Sequence, residues 1–303
     1  MSFHYLAGNT AMYVFHYEMP LDAALVISQV VAGDMALHWP RGNKKKCRID
    51  FFCRSSADAR RRLSEIRRIL GDGDQRHRPP VTAVKPLKKK DWVQSCRKQF
   101  HARRVSGRII VRPSWEKRSG GKNDCIIELD PGMAFGTGEH ETTRACLRLI
   151  DEFQQKCPGG SFLDAGCGSG ILAVAAAKLG FKPVDAIDND PTAVRTARIN
   201  FARNKVAGMV ACRNGDILHF KPAHKYSLIA ANLFANLLVR SSRRLAGLLE
   251  LKSTSRLIIS GVLVNQYDQV ARAFSKQNLR ALKKIIKNGW VTAVFAWRPG
   301  KIH

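Results

Sequence analysis

The 303-residue sequence lacks any apolar run near the ~20 residues that a membrane-spanning helix requires. Its first residues, Met1 to Tyr5, contain no basic segment followed by an apolar one, so no signal peptide is expected. The eight cysteines are scattered and include no C-x-x-C pair. That spacing argues against a zinc site and a disulfide framework, and it is typical of a reducing cytoplasm. We therefore expect a cytoplasmic protein that holds no metal and contacts no membrane.

Acidic residues are scarce, since 24 Asp and Glu oppose 51 Lys and Arg and leave a formal charge of +27. The basic residues cluster at positions 44–48, 60–62, 67–68 and 88–90. A positive field of this size favours contact with RNA or with an RNA-rich particle. A general bias toward basic residues explains the charge equally well, because both halves of the chain are positive. The charge alone therefore leaves contact with RNA or an RNA-rich particle open.

The most informative segment is Phe162–Leu172, whose sequence predicts a buried strand, a glycine loop and the start of a helix. Glycines at 166, 168 and 170 let the backbone turn sharply and approach a ligand closely. The next predicted strand, 184–187, ends at Asp188, roughly 20 residues past the loop, where an acid can hold ribose hydroxyls. These features predict a nucleoside-containing cofactor bound at Gly166, Gly168 and Asp188.

Details of the loop narrow the choice of cofactor. The spacing G-x-G-x-G departs from the dinucleotide fingerprint, and no Lys-Ser or Lys-Thr pair follows, so a P-loop is excluded. Asp164, two residues before the first glycine, would repel a pyrophosphate but suits a cationic ligand. S-adenosylmethionine carries a sulfonium and an ammonium and has no phosphate. The loop resembles motif I of the Rossmann-like methyltransferases, and the alternative is a glycine turn in another α/β protein.

The chain reads as two domains joined by a linker at 91–128. Residues 1–90 predict a small α+β domain of the ferredoxin-like order β-α-β-β-α-β. Its strands are expected at 11–18, 35–39, 48–53 and 81–84, and its helices at 21–31 and at 57–70, where Ser56 is the expected N-cap. Residues 129–303 alternate strands with helices, which predicts an α/β domain with a mostly parallel sheet covered on both faces.

The expected elements after the first domain follow apolar periodicity and turn signals. The helices are predicted at 91–100, 141–153, 172–177, 192–204, 236–249 and 266–276. The strands are predicted at 109–112, 125–129, 162–165, 184–187, 210–213, 226–231, 257–261 and 290–297, the last as an edge strand.

Further segments complete a recognisable pattern around the glycine loop. They are Asp130–Thr143, Ile187–Pro191, Ala231–Asn236 and Ser260–Leu263. Together with the glycine loop, these segments resemble the ribosomal protein L11 methyltransferase (PrmA) family. Members of this family are class I S-adenosylmethionine-dependent protein methyltransferases. The resemblance has specific motifs over residues 91–300, whereas the first 90 residues agree in architecture only.

The resemblance implies a Rossmann-like, seven-stranded methyltransferase domain preceded by a substrate-recognition domain. It implies S-adenosylmethionine as the cofactor, with Phe135 covering it and Asp164 accepting from its ammonium directly or through water. The implied cofactor-binding residues are Phe135, Thr143, Asp164, Gly166, Gly168, Asp188 and Asn232. No residue is identified as a general base, and His140 is interpreted as a structural hydrogen-bonding group. The implied activity is methylation of amino groups, on lysine side chains or the N-terminal amine, of ribosomal protein L11 by a monomer.

Two other functions remain open. The first is methylation of another protein or of RNA. Enzymes that methylate exocyclic base amines commonly carry Asn/Asp-Pro-Pro-aromatic, whereas the run from Asn232 to Ala235 lacks both prolines. The second is a non-catalytic RNA-binding module that has kept a cofactor fold. The intact Asp164, glycines and Asp188 argue against it.

Overall fold

A computed structural model of the protein describes residues 12–20, 27, 35–38, 46–53, 55–70, 85–87, 100–117, 120–130 and 140–300. The chain divides into two compact units, Met1–Gln99 and Phe100–His303. This division falls inside the predicted linker 91–128. Residues 100–128 of that segment carry strands and are therefore described with the second unit.

The first unit contains a four-stranded antiparallel sheet and a helix. Its elements are β1 (Met12–Pro20), β2 (Met35–His38), β3 (Lys46–Cys53), α1 (Ser56–Leu70) and β4 (Lys85–Leu87). The order β2-β3-β1-β4 places β1 between β3 and β4, as a ferredoxin-like fold requires. The predicted helix 21–31 and strand 81–84 lie outside the described residues, except for Ile27, which is helical and buried.

Helix α1 is capped one residue earlier than the sequence predicted. Ser55 is the cap in place of Ser56, because its Oγ accepts a hydrogen bond from the Asp58 amide at 3.0 Å. Ala59 and Ile66 are two turns apart on α1, and both are buried. They pack on the inward residues of β1 and β3, which recur at every second position: Phe15, Tyr17, Met19, Ile49, Phe51 and Cys53.

The second unit begins with a three-stranded sheet of β5 (Arg103–Arg104), β6 (Ile109–Arg112) and β7 (Cys125–Glu128). The strands predicted at 109–112 and 125–129 are thus confirmed. The buried carboxylate of Asp151 ties this sheet to the following helix. It accepts from Ser106 Oγ at 2.5 Å and from Arg108 Nε at 2.7 Å.

The main sheet of the second unit has seven strands in the order β10-β9-β8-β11-β12-β14-β13. The strands are β8 (Phe162–Ala165), β9 (Val184–Asp188), β10 (Val210–Asn214), β11 (Leu228–Asn232), β12 (Arg256–Leu263), β13 (Leu279–Lys287) and β14 (Trp290–Trp297). The helices are α2 (Glu141–Lys156), α3 (Ile171–Leu179), α4 (Pro191–Arg203), α5 (Ala235–Leu248) and α6 (Tyr267–Ser275). Strands β8 to β12 run parallel, whereas β14 is antiparallel to both β12 and β13. The predicted Rossmann-like α/β class is confirmed.

The prediction of an edge strand at 290–297 is wrong. Strand β14 lies inside the sheet between β12 and β13, and all of its residues but one are buried. The edge is β13, which the sequence analysis missed. Almost all residues of β13 after Leu279 are exposed. The sequence of β13 therefore has basic residues at positions where a strand with one buried face has apolar ones.

Strand β8 lies inside the sheet between β9 and β11 and is buried on both faces. Phe162 packs in an apolar cluster on one face, while Leu163 and Ala165 pack in a second cluster on the other. This two-sided burial explains why β8 reads as a continuous apolar run, interrupted only by Asp164. Among the described residues, no helix is long and apolar enough to cross a membrane.

Candidate functional site

Five of the predicted site residues lie at one edge of the main sheet. Gly166 and Gly168 follow β8, Asp188 ends β9, Asn232 ends β11, and Thr143 is in the first turn of α2. Strands β8 and β11 are neighbours, with β9 and β12 on their outer sides. The chain therefore changes direction between β8 and β11, and α/β sheets bind ligands at the carboxyl ends of strands beside such a switch point.

The glycine loop is held against β9 by its backbone. The amides of Gly166 and Cys167 both donate to the carbonyl of Ile187, at 2.8 and 3.0 Å. Gly166, Gly168 and Gly170 have φ of +75°, +52° and +76°, which glycine adopts at little cost. A Cβ at Gly166 would also overlap the side chain of Leu233. The loop therefore requires glycine at this position for both conformation and space.

Asp188 is oriented by the loop that it supports. Its Oδ2 accepts from the Gly168 amide at 2.8 Å, and its Oδ1 accepts from the Asp190 amide at 3.0 Å. Each oxygen of a carboxylate has more than one acceptor position, so both can accept a further hydrogen bond. The side chain is half-buried. A partly exposed and fixed carboxylate of this kind suits a pair of ribose hydroxyls.

Asp164 is in a different environment from Asp188. It is 1% exposed, and its Oδ2 accepts from the Ala173 amide in the first turn of α3 at 3.0 Å. Burial raises the pKa of Asp164 to about 8, and the nearby charge of Asp188 adds to this shift although the Ala173 hydrogen bond opposes it. The carboxyl is therefore largely protonated at neutral pH, and its predicted contact with an ammonium stays a prediction.

His140 has the structural role that the sequence analysis favoured. It is the N-cap of α2, with its Nδ1 2.7 Å from Thr142 Oγ1 and accepting from the Thr142 amide at 3.4 Å. Its ring meets that of Trp290 edge-on, with centroids 5.2 Å apart. Burial lowers the pKa of His140 to about 4, so the ring is neutral at pH 7. A neutral Nδ1 that accepts from an amide carries no proton, which places the ring proton on Nε2.

Thr143 and Asn232 complete the candidate site. Thr143 is 1% exposed, and its Oγ1 is buried without a hydrogen-bond partner among the described residues. A buried hydroxyl in this state is expected to meet a ligand or water. Asn232 is half-buried, and its Nδ2 donates to Thr142 Oγ1 at 3.4 Å. Thr142 thus joins the first turn of α2 to the end of β11.

The sequence analysis missed two structural contributors to this site. Thr142 was included only within the segment Asp130–Thr143, and nothing in the sequence indicated that its hydroxyl bridges His140 and Asn232. Gly261 was quoted only as part of a motif. Its φ is +80°, and a Cβ there would lie 2.7 Å from the Leu233 carbonyl oxygen and 3.1 Å from Asn232 Oδ1. Phe135 lies outside the described residues, so its predicted place over the cofactor is still a prediction.

The residues present fit S-adenosylmethionine. The Thr143 hydroxyl, which has no hydrogen-bond partner among the described residues, and the remaining acceptor positions of Asp188 lie at the same edge of the sheet. The loop presents no lysine to a phosphate. Together with the antiparallel strand β14 between β12 and β13, this arrangement defines a Rossmann-like methyltransferase.

Comparison with known proteins identifies the family. A family model described as ribosomal protein L11 methyltransferase (PrmA) matches residues 29–297. A ribosomal protein L11 methyltransferase from Ruminiclostridium cellulolyticum is 37% identical over 206 residues, which cover 68% of this chain and 64% of that protein. Another, from Pelotomaculum thermopropionicum, is 36% identical over 247 residues, or 80% of this chain and 77% of that protein. The chain belongs to the ribosomal protein L11 methyltransferase family.

A solved structure agrees with this assignment. The ribosomal protein L11 methylase from Lactobacillus delbrueckii subsp. bulgaricus superposes with a TM-score of 0.58 at 29% identity. The superposition covers 66% of this chain and all of that one. S-adenosylmethionine, the cofactor expected from the sequence, is the methyl donor that this family implies.

We expect the substitution Asp188→Ala to weaken cofactor binding by about 10- to 100-fold, because two charge-assisted hydrogen bonds to ribose are worth roughly 1.5–3 kcal/mol. Calorimetric titration with S-adenosylmethionine measures this change. Asp268→Ala is the matched control, since Asp268 is exposed in the first turn of α6. Equal affinities of the two variants would reject the ribose role of Asp188.

The buried Asp164 predicts a pH dependence of stability. Its pKa is raised to about 8 in the folded protein, so between its unfolded pKa near 4 and pH 8 only the folded state holds the proton. The free energy of unfolding should therefore fall with rising pH in this window, by up to about 1.4 kcal/mol per pH unit, and level off above it.

Asp164→Asn should remove this contribution, because the amide does not titrate. Urea denaturation of both proteins between pH 5.5 and 9 measures the difference. Parallel stability profiles would mean that the Asp164 carboxyl is already ionised in the folded protein.

Proposed function

We propose that this protein transfers methyl groups from S-adenosylmethionine to amino groups of ribosomal protein L11, on lysine side chains or the N-terminal α-amine. The observation that carries the proposal is the meeting of Thr143, the glycine loop, Asp188 and Asn232 at one edge of the sheet. The relatives named above support the choice of substrate, since their names state ribosomal protein L11. The proposed cofactor-binding residues are Phe135, Thr143, Asp164, Gly166, Gly168, Asp188 and Asn232.

When bound, S-adenosylmethionine supplies an electrophilic methyl group on its sulfonium. The chain must place a neutral amine in line with that methyl group. Correct placement of two reactants lowers the reaction barrier by roughly 7–11 kcal/mol. A free lysine has a pKa near 10.4, so the amine must lose a proton before it reacts. Phe234 follows Asn232 by two residues and is 51% exposed. An apolar ring beside the site favours the neutral amine by reducing its hydration.

Asn232 is the proposed acceptor for the substrate amine. The Nδ1 of His140 accepts, so the Thr142 hydroxyl donates to it and leaves its oxygen to accept from Asn232 Nδ2. This series of hydrogen bonds directs Asn232 Nδ2 toward Thr142 and Asn232 Oδ1 away from it. In this orientation Oδ1 is able to accept a hydrogen bond from an N–H of the substrate amine. His140 does not act as the base through Nδ1, because that atom is already engaged. In this scheme the proton of the substrate amine is released to solvent, and catalysis depends on holding the amine close to the methyl group.

The first domain, residues 1–90, is proposed to select the protein substrate, with 91–128 as the linker and 129–303 as the methyltransferase domain. Contact with ribosomal RNA belongs to the same proposal. Helix α1 exposes two pairs of adjacent arginines that lie two helical turns apart: Arg60 and Arg61, and Arg67 and Arg68. Such a face suits a phosphate backbone. We further propose that the protein works as a monomer in the cytoplasm, in keeping with a sequence whose cysteines are scattered and include no C-x-x-C pair.

The direct test is incubation of the full chain with labelled S-adenosylmethionine and a whole ribosomal extract, which contains both ribosomal protein and ribosomal RNA. We expect the label in ribosomal protein L11, on lysine side chains or the N-terminal amine, as identified by mass spectrometry of digested bands. Asp188→Ala serves as the control with weakened cofactor binding. Label in ribosomal RNA alone would favour the RNA methyltransferase alternative. Cofactor binding without any transfer would favour the non-catalytic module.

The salt dependence of activity tests the proposed RNA contact. Exposed charges are screened over about 10 Å at 0.1 M salt, and each phosphate contact steepens the loss of binding with salt. Activity on ribosomal particles should therefore fall more steeply with salt than activity on free ribosomal protein L11. Replacing the four α1 arginines by glutamine should reduce the slope for particles. Equal slopes for both substrates would assign the charge of the chain to its general composition.

A further inference from the structure

An open cavity of about 330 Å³ lies beside helix α6. It is lined by residues of α6, of the start of β13 and of the end of β14. Three of these residues are arginines, Arg272, Arg280 and Arg298, and all three are exposed. Leu279 and Phe295 are buried and give the cavity an apolar wall. None of these residues has a role in the function proposed above.

The cavity is at the opposite edge of the main sheet from the glycine loop. Phe295 pairs with Leu257, which is the second residue of β12, whereas the candidate site lies at the carboxyl ends of the parallel strands. The part of β12 from Leu257 to Leu263 spans about 20 Å at ~3.3 Å per residue. A ligand in the cavity would therefore occupy neither the cofactor position nor that of the substrate amine.

The last turn of α6 brings two of the arginines close together. Arg298 Nη2 donates to Ser275 Oγ at 2.9 Å, which holds this guanidinium against the helix. Arg272 precedes Ser275 by one helical turn, and residues with this spacing lie on the same face of a helix. The bond to Ser275 uses one of the five N–H donors of Arg298, and the described side chains and backbone accept none of the others. Donors are therefore left for a ligand.

The described part of the chain does not neutralise the positive charge of the cavity. Within it, Arg272, Arg280 and Arg298 form no ion pair. Asp268 is the one acid among the lining residues, but it is in the first turn of α6, about 10 Å along the helix axis from Ser275. The carboxyl end of a helix attracts cations with only about half a negative charge. Three guanidinium groups thus exceed the negative charge that surrounds them.

We infer that this cavity binds the phosphate group of a nucleotide, either free or within an RNA strand. Guanidinium groups bind phosphate through paired, charge-assisted hydrogen bonds. A terminal phosphate carries nearly two negative charges and three acceptor oxygens, whereas a carboxylate carries one charge and two oxygens, so phosphate matches several arginines better. The apolar wall suits the sugar or the base of the same nucleotide. The inference goes beyond the proposed function and does not depend on the cofactor site.

The test is calorimetric titration of the full chain with uridine 5′-monophosphate. S-adenosylhomocysteine is present in excess to occupy the cofactor site, and its own titration shows separately whether that site binds. Arg272→Gln and Arg298→Gln should each weaken nucleotide binding by about tenfold, because each removes a charge-assisted contact. Uridine, which has no phosphate, should not bind.

Arg195→Gln is the matched control for these two variants. Arg195 is exposed on α4, and its Nη2 donates to the Thr192 hydroxyl at 3.1 Å, as Arg298 does to Ser275. The control loses the same charge outside the cavity, so it should bind the nucleotide as the unmodified protein does. Equal weakening in the control and in the cavity variants would reduce the effect to general charge and overturn the site.

A short oligouridine distinguishes the two sources of the phosphate. If the cavity holds an RNA strand, Arg272→Gln and Arg298→Gln should weaken oligouridine binding more than Arg195→Gln does, and each should reduce its salt slope by about one. If the ligand is a free nucleotide, the cavity variants should weaken only the mononucleotide. Unchanged affinity of the cavity variants for both ligands would overturn the site. Tighter binding of a polyglutamate peptide than of either ligand would overturn phosphate as its ligand.

Discussion

One backbone oxygen organises the candidate site. The carbonyl of Ile187 accepts from two successive amides of the glycine loop, those of Gly166 and Cys167. This pairing continues the β8–β9 ladder beyond the end of β8 and fixes where the loop can turn. It brings the Gly168 amide to Asp188. The geometry of the candidate cofactor site thus depends on this contact.

Two carboxyl groups near this loop lie in different surroundings. Asp188 is partly exposed and accepts from two amides. Asp164 is buried and has one amide donor, and its burial favours the neutral acid. The nearby charge of Asp188 raises the pKa of Asp164 further. A cationic ligand above the loop would shift Asp164 toward the charged form.

The sequence predicted the parts of this structure that depend on local pattern. The continuous apolar run of β8, the spaced glycines and the acid at the end of β9 are strong signals, because each has one main structural explanation. Other parts depend on contacts between distant residues. Whether β14 is an edge or an inner strand is decided by β13, whose basic and exposed sequence gives no strand signal. The bridge from His140 through Thr142 to Asn232 joins residues some ninety positions apart, as the hydrogen bond from Asn232 shows. The choice of Ser55 over Ser56 as a cap depends on a one-residue shift that composition does not resolve.

Strand β13 has a consequence for how the protein behaves in a crowded solution. Among the described residues β13, nine residues long, has no strand on its outer side, and its Leu282 and Ile286 are exposed. Such an edge can pair with another extended chain. Its lysines counter this tendency. Lys283 pairs with Glu152, and Lys284 lies over the ring of Tyr267. An approaching strand would have to dehydrate these charges, and a second copy would bring the same sign to the contact. Part of the positive charge therefore protects the chain from pairing with itself and forming aggregates.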